Sequence, residues 1–184
     1  MNSAKVTLVL GGARSGKSGF AQRLAEDCDG ASESNKASES NRDLVYIATA
    51  QAFDAEMTER ITRHQSDRGP RWQTIECPMD LSAAIAMHRG DERTILIDCL
   101  TLWLSNLMLG DHDILAATSN LTSSLKDYSG RIILVSNEVG QGIVPNNALA
   151  RRFRDEAGRL NQAIARAADG VWFVTAGLAQ KLKG

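Results

Sequence analysis

Cysteine is scarce in this chain. The three present, Cys28, Cys77 and Cys99, are odd in number and form no C-x-x-C pair. They read as reduced thiols rather than a disulfide framework, and no zinc site is expected from them. An excess of charge of either sign is also lacking: 21 Lys plus Arg against 22 Asp plus Glu leave a formal net charge of −1. Aromatic residues make up only 5%. With no basic stripe and few rings to stack on bases, a nucleic-acid-dependent ATPase is disfavoured. No apolar run approaches the ~20 residues needed to cross a bilayer. Met1-Asn-Ser-Ala-Lys5 runs straight into the first expected strand, without the charged and apolar regions of a signal peptide. The expectation is a cytoplasmic protein with no membrane span.

What remains is ordinary globular composition, 43% apolar and 23% charged over 184 residues. That length suits one domain spanning 1–184, with a core large enough for a sheet covered on both faces. Its most informative stretch is Gly11-Gly-Ala-Arg-Ser-Gly16-Lys17-Ser18, which fits G-x-x-x-x-G-K-[ST] and follows the apolar run Val6–Leu10. A buried strand feeding a helix is the context this motif requires. Glycines let successive backbone N–H groups turn inward on phosphate oxygens, and the helix that follows adds its positive end. Lys17 is expected to reach the β- and γ-phosphates and the Ser18 hydroxyl to ligate Mg²⁺. The chain is therefore read as binding a nucleoside triphosphate.

Strand-like and helix-like segments alternate, which predicts an α/β fold around a mainly parallel sheet. Expected helices are Lys17–Cys28, with Phe20, Leu24 and Ala25 on one stripe, then Asp54 to about Arg68, Asp80–Met87, Leu100–Leu109 and roughly Ala148–Ala168. Expected strands are Leu44–Ala48, Trp72–Cys77, Thr94–Asp98, Arg131–Val135 and Val171–Val174. Asp29–Asp43 is rich in Ser, Glu and Asn. Within it Ala31-Ser-Glu-Ser-Asn35 recurs as Ala37-Ser-Glu-Ser-Asn41, a composition that suits a flexible polar surface loop rather than a core.

Ligands of open parallel sheets sit beyond the carboxyl ends of the strands, which gathers Thr49, Asp98, Asn137 and Glu138 around the glycine-rich turn. Asp98 closes an apolar strand, where a carboxylate holds Mg²⁺ or caps the next helix. Glu138 reads either as a functional carboxylate or as a turn polar group. His64 shares a helix face with Met57 and Ile61. From spacing alone it is a packing or surface residue, although a neutral imidazole can attack phosphorus. Arg60 and Arg68 lie one turn to either side of it, as α-phosphate partners or as solvated arginines. His88 and His112 fall in loop-like polar settings.

Taken together, GGARSGKS (Gly11–Ser18), YIATAQ (Tyr46–Gln51), DAEMTERITRHQSDR (Asp54–Arg68), LIDCLTLWLSNL (Leu96–Leu107) and NEVGQGIVPNNALARRFRDEAGRLNQ (Asn137–Gln162) carry a family resemblance. The chain resembles the bifunctional adenosylcobinamide kinase/adenosylcobinamide-phosphate guanylyltransferases of cobalamin biosynthesis. The resemblance implies a RecA-like P-loop NTPase fold and a homotrimer. It also implies two reactions: phosphorylation of adenosylcobinamide by a nucleoside triphosphate (ATP or GTP), and transfer of GMP from GTP to adenosylcobinamide phosphate. The histidine that carries GMP in the family falls on His64. Family nucleotide contacts fall on Gly11, Gly12, Ala13, Arg14, Ser15, Gly16, Lys17 and Ser18, on Ala48, Thr49 and Ala50, on Gln65, Ser66, Asp67 and Arg68, and on Glu76 and Asp98. Ser18 and Asp98 become the metal ligands. Two stretches depart from the family pattern, the Asp29–Asp43 insert and Asn146, which stands in place of an expected glutamate. The Arg151-Arg-Phe-Arg154 cluster faces substrate, a neighbouring subunit or water. The competing readings are a plain small-molecule P-loop kinase, in which His64 is structural, and a nucleotide-binding regulator without chemistry.

Overall fold

The computed structural model describes residues 4–28, 44–50, 69–90 and 92–184. The expected loop at 29–43 and the expected helix at 54–68, with His64 on it, lie outside the described residues. Among those described, seven strands form one sheet, β1 (Val6–Gly11), β2 (Leu44–Ala48), β3 (Trp72–Glu76), β4 (Thr94–Asp98), β5 (Arg131–Asn137), β6 (Gly170–Thr175) and β7 (Leu178–Lys183), in the order β3-β2-β4-β5-β1-β6-β7. Every pairing is parallel except β6 with β7. The expected α/β architecture with a mainly parallel sheet is what the chain adopts.

The inner strands are runs of Val, Ile and Leu because both faces are covered, as parallel strands require. Helix α1 (Lys17–Cys28) packs on one face, where Ala21 and Ala25 are fully buried against Val9, Leu96, Ile133 and Val135. Small residues on that stripe let the helix axis approach the sheet closely. The opposite face carries α2 (Leu81–Ala86), α3 (Leu100–Leu109), α4 (Ile114–Asp127) and α5 (Ala148–Ala167). Three of them start on side-chain caps, α3 being the exception: Asp80 accepts from Ala83 N, Asp113 from Ala116 N, and Asn147 from Leu149 N and Ala150 N. Each cap satisfies amides the first helical turn leaves orphaned.

Helix α3 is tied to the segments that follow β2 and β3. Its Asn106 Nδ2 donates to both Thr49 O (2.9 Å) and Pro78 O (3.0 Å), and Trp103 Nε1 donates to Met79 O at 2.6 Å. These bonds tie the ends of β2 and β3 to the helix that leaves β4. His88, expected in a polar loop, is instead buried in the turn after α2, whereas His112 is exposed.

Candidate nucleotide site

The phosphate loop joins β1 to α1, and its shape requires its sequence. A Cβ on Gly11 would lie 2.5 Å from both Ser15 Oγ and Val174 O, so any side chain there would force β1 and β6 apart. Gly16 sits at φ +92° and Arg14 at φ 54°, the left-handed turns that point successive amides inward. For Arg14 that conformation costs on the order of 1 kcal/mol, a local strain of the kind found at ligand-binding turns. The Lys17 side chain is folded back over the loop, 8% exposed, with Nζ donating to Gly12 O at 3.1 Å. Its ammonium therefore lies within the loop rather than in solvent. Ser15 Oγ is buried with no hydrogen-bond partner, a donor left over inside the same turn.

Strand register places the other sequence-predicted residues. Ala48 sits opposite both Glu76 and Asp98, so these three occupy one row across the ends of β3, β2 and β4. Asp98 is level with Val135, and Val135 with Val9, two residues before Gly11. Two strand spacings, about 10 Å, separate β4 from β1. Asp98 thus sits at the carboxyl edge of the sheet, two strands from the strand that feeds the phosphate loop. Thr49 is fully buried, and its hydroxyl is committed to Cys99: Oγ1 donates to Cys99 O and accepts from Cys99 N, both at 2.8 Å. This clamp holds the chain where β4 turns into α3, immediately after Asp98. Burial and the neighbouring Asp98 charge push the Cys99 thiol up to about 11, which keeps it protonated and unreactive at neutral pH.

Gln65, Ser66, Asp67, Arg68 and His64 lie outside the described residues. Glu138 lies at the end of β5, where its N–H donates to Gly11 O at 3.0 Å. Its carboxylate turns away into its own loop and accepts from Gly140 N at 2.5 Å, the turn-stabilising alternative. Within the arginine cluster, Arg151 Nη1 donates to Pro145 O (2.9 Å) and Asn146 O (2.7 Å), fixing the turn before α5. Arg154 pairs with Asp155, and Arg152 is exposed.

Sequence reasoning missed Asn161, a buried residue in the middle of α5. Ser136 Oγ donates to Asn161 Oδ1 at 2.7 Å, Asn161 Nδ2 donates to Asn137 O at 3.1 Å, and Thr101 Oγ1 accepts from Asn137 N at 2.7 Å. This network fixes the end of β5 against the start of α3, beside both Asp98 and the phosphate loop. A polar residue on the buried face of an amphipathic helix was the available signal. Replacing it by Ala leaves the Ser136 hydroxyl only its long 3.4 Å contact with Thr101 Oγ1 and takes the side-chain donor from the Asn137 carbonyl, each costing about 1–3 kcal/mol. Urea denaturation of Asn161→Ala is expected to show a loss of about 2–4 kcal/mol. A loss below about 1 kcal/mol would mean water replaces the amide at little cost.

Residues 7–182 match the family described as cobinamide kinase / cobinamide phosphate guanyltransferase. The chain belongs to this family. Among its members it is 47% identical over 179 residues to the bifunctional adenosylcobalamin biosynthesis protein CobP of Pseudomonas aeruginosa, covering 96% of both chains. Identity to the CobU protein of the same description from Salmonella typhimurium is 38% over 191 residues, covering 96% of this chain and 98% of the relative. Among solved structures, the flagellar accessory protein FlaH of Methanocaldococcus jannaschii superimposes with a TM-score of 0.50 at 13% identity, over 97% of this chain and 78% of that one. That likeness concerns the fold alone. For this family member no helix among the described residues is long and apolar enough to cross a membrane.

Proposed function

We propose that this chain phosphorylates adenosylcobinamide with a nucleoside triphosphate and then transfers GMP from GTP to the phosphate so formed, releasing pyrophosphate. The observation that carries the reading is a phosphate loop holding the Lys17 ammonium inside it, beside a strand-end carboxylate, in a member of this family. The enzyme is taken to be cytoplasmic, in keeping with its reading as a protein of reduced thiols, and homotrimeric, as the resemblance implies.

Both reactions concentrate negative charge on oxygens leaving phosphorus. In the kinase step the acceptor hydroxyl attacks the γ-phosphorus and the nucleoside diphosphate departs. In GMP transfer the α-phosphorus is attacked and pyrophosphate departs. The loop amides of Gly11–Ser18, the ammonium of Lys17 and the leftover Ser15 hydroxyl are suited to hold the phosphates in either case. The Ser18 hydroxyl and Asp98 carboxylate are hard oxygen donors of the kind Mg²⁺ takes, few in number because substrate phosphates and water complete its shell. When bound there, Mg²⁺ would neutralise phosphate charge. Ala48, Thr49, Ala50 and Glu76 lie in the row that a nucleotide extending from the loop towards β2 and β3 would pass over. Thr49 would contribute backbone atoms there, since its hydroxyl is engaged by Cys99. His64 is assigned as the GMP carrier, with Gln65, Ser66, Asp67 and Arg68 beside it as nucleotide contacts.

The test uses the full chain, Mg²⁺ and GTP without corrinoid. Label at the α-phosphate should remain on the denatured chain in an acid-labile, alkali-stable linkage, whereas label at the γ-phosphate should not. Adding adenosylcobinamide phosphate should move the α-label to the corrinoid. Phosphate transfer with no retained α-label would leave a simple small-molecule kinase.

A further inference from the structure

The hairpin β6–β7 has no role in the function described so far, yet it touches the phosphate loop at three points. Gly177 N donates to Ser15 O at 2.8 Å. A Cβ on Gly16 would lie 3.2 Å from Gly177 Cα, so the two backbones pass in near contact. Val174 O occupies the space that a side chain on Gly11 would need. The turn joining the strands is Ala176-Gly177, with φ 51° and 79°. Two left-handed residues between antiparallel strands match the twist of the hairpin and hold its tip in one orientation.

Strand β7 contributes little to the core. Leu178 is 77% exposed and Leu182 57% exposed, and of the whole strand only Ala179 packs against the apolar cluster around α1. What β7 does have is anchorage at both ends. At its far end Lys183 Nζ donates to Ala165 O (3.0 Å), Arg166 O (3.3 Å) and Ala168 O (2.5 Å), closing the carboxyl terminus of α5. Midway, Lys181 lies over the Trp172 ring at 5.8 Å, and Trp172 packs on Phe20 of α1 at 5.3 Å. The hairpin therefore braces the phosphate loop from the side opposite Asp98, and it also grips the helix that the loop feeds.

We propose that the β6–β7 turn is a positioning element for nucleotide binding, with Gly177 as its positioning residue. The Gly177 N–H holds the Ser15 carbonyl outward, which leaves the neighbouring amides of Gly16 and Lys17 facing the phosphates. Without that bond the Ser15–Gly16 peptide is free to rotate, and the loop must be reordered each time a nucleotide binds. The proposal rests on the reading that this loop binds a nucleoside triphosphate.

The experiment compares the full-length chain with Gly177→Pro, Gly177→Asn and Gly177→Val. Pro removes the N–H and cannot adopt the observed φ. Asn keeps the N–H and tolerates a left-handed backbone, whereas Val keeps the N–H but resists that backbone. The readouts are Kd for a fluorescent GTP analogue with Mg²⁺, Kd for pyrophosphate, the melting temperature without ligand, and hydrogen exchange at the Gly16 and Lys17 amides. Gly177→Pro is expected to weaken both ligands about tenfold, the size of one lost hydrogen bond. Exchange at the two amides should rise; the melting temperature should fall in Gly177→Pro and Gly177→Val alike, since neither accepts the left-handed backbone, so a loss of affinity beyond that of Val reports the missing N–H. Gly177→Asn should bind within about threefold of the parent, with Gly177→Val in between. Should Gly177→Pro fail to fold, the Asn and Val pair decides through the same readouts. Equal affinities in all folded variants, or a fall in melting temperature alone, overturns the proposal. A parent chain that binds neither ligand overturns instead the nucleotide reading on which it rests.

Discussion

Replacing Lys17 by Met is expected to lower kcat/KM for both phosphate transfer and GMP transfer by roughly 10²–10³-fold, the scale measured for deleting one preorganised charge-stabilising donor. Met keeps the length and volume of the buried stem, so the fold should persist and the loss should report charge rather than packing. The ammonium is nearly buried and already bonded to Gly12 O, so it enters the reaction oriented, with little solvent to reorganise. The proposed function puts the γ-phosphoryl group and the departing pyrophosphate in the same loop, so both activities should fall together. Arg is not a substitute, since its planar fork does not fit the space a point charge fills. Steady-state kinetics with each corrinoid acceptor checks this. A loss under threefold in either reaction would mean that reaction uses phosphates held elsewhere.

Much of this arrangement is legible in the sequence because it rests on strong local signals. The run Val6–Leu10 before the glycine-rich turn, the apolar strand ending on Asp98 and the long helix over roughly Ala148–Ala168 all appear where expected. Two elements are not legible. Helix α4 is rich in Ser and Thr, poor helix formers, and buries only Leu121 and Leu125 fully. Its spacing of Ile114, Ala117, Leu121 and Leu125 behind the Asp113 cap was a usable but faint signal. Strand β7 has no alternation of buried and exposed residues, because it is an edge strand whose lysines face outward or cap a neighbour.

The site shows the same division. Side chains at strand ends can be placed from sequence, since the carboxyl edge of a parallel sheet is one line in space. What each side chain does there depends on contacts between distant segments. Glu138 and Thr49 look alike in sequence as polar residues at strand ends. One turns back to its own loop at Gly140, and the other spends its hydroxyl on Cys99, fifty positions away. Neither Asn161, which lies inside the Asn137–Gln162 stretch, nor Gly177 was given a role by any motif, and their contributions follow from helix and hairpin packing against β5 and the phosphate loop.

The second large effect is expected from His64→Ala. In the proposed route a neutral imidazole divides the displacement in two: its nitrogen bonds to the α-phosphorus as the bond to pyrophosphate breaks, and its other nitrogen sheds a proton. The acceptor phosphate oxygen then displaces the histidine, which recovers the proton from its surroundings. Removing the ring should abolish the acid-labile GMP adduct and slow GMP transfer by at least about 10³-fold, the scale of losing a covalent nucleophile. The kinase step, which needs only positioning and charge stabilisation, should fall by less than about tenfold. Free imidazole should restore part of the transfer, because it can form the same phosphorus–nitrogen bond in the space the side chain leaves. Label retained on His64→Ala, or transfer at an undiminished rate, would move the nucleophile to another residue or remove the covalent step altogether.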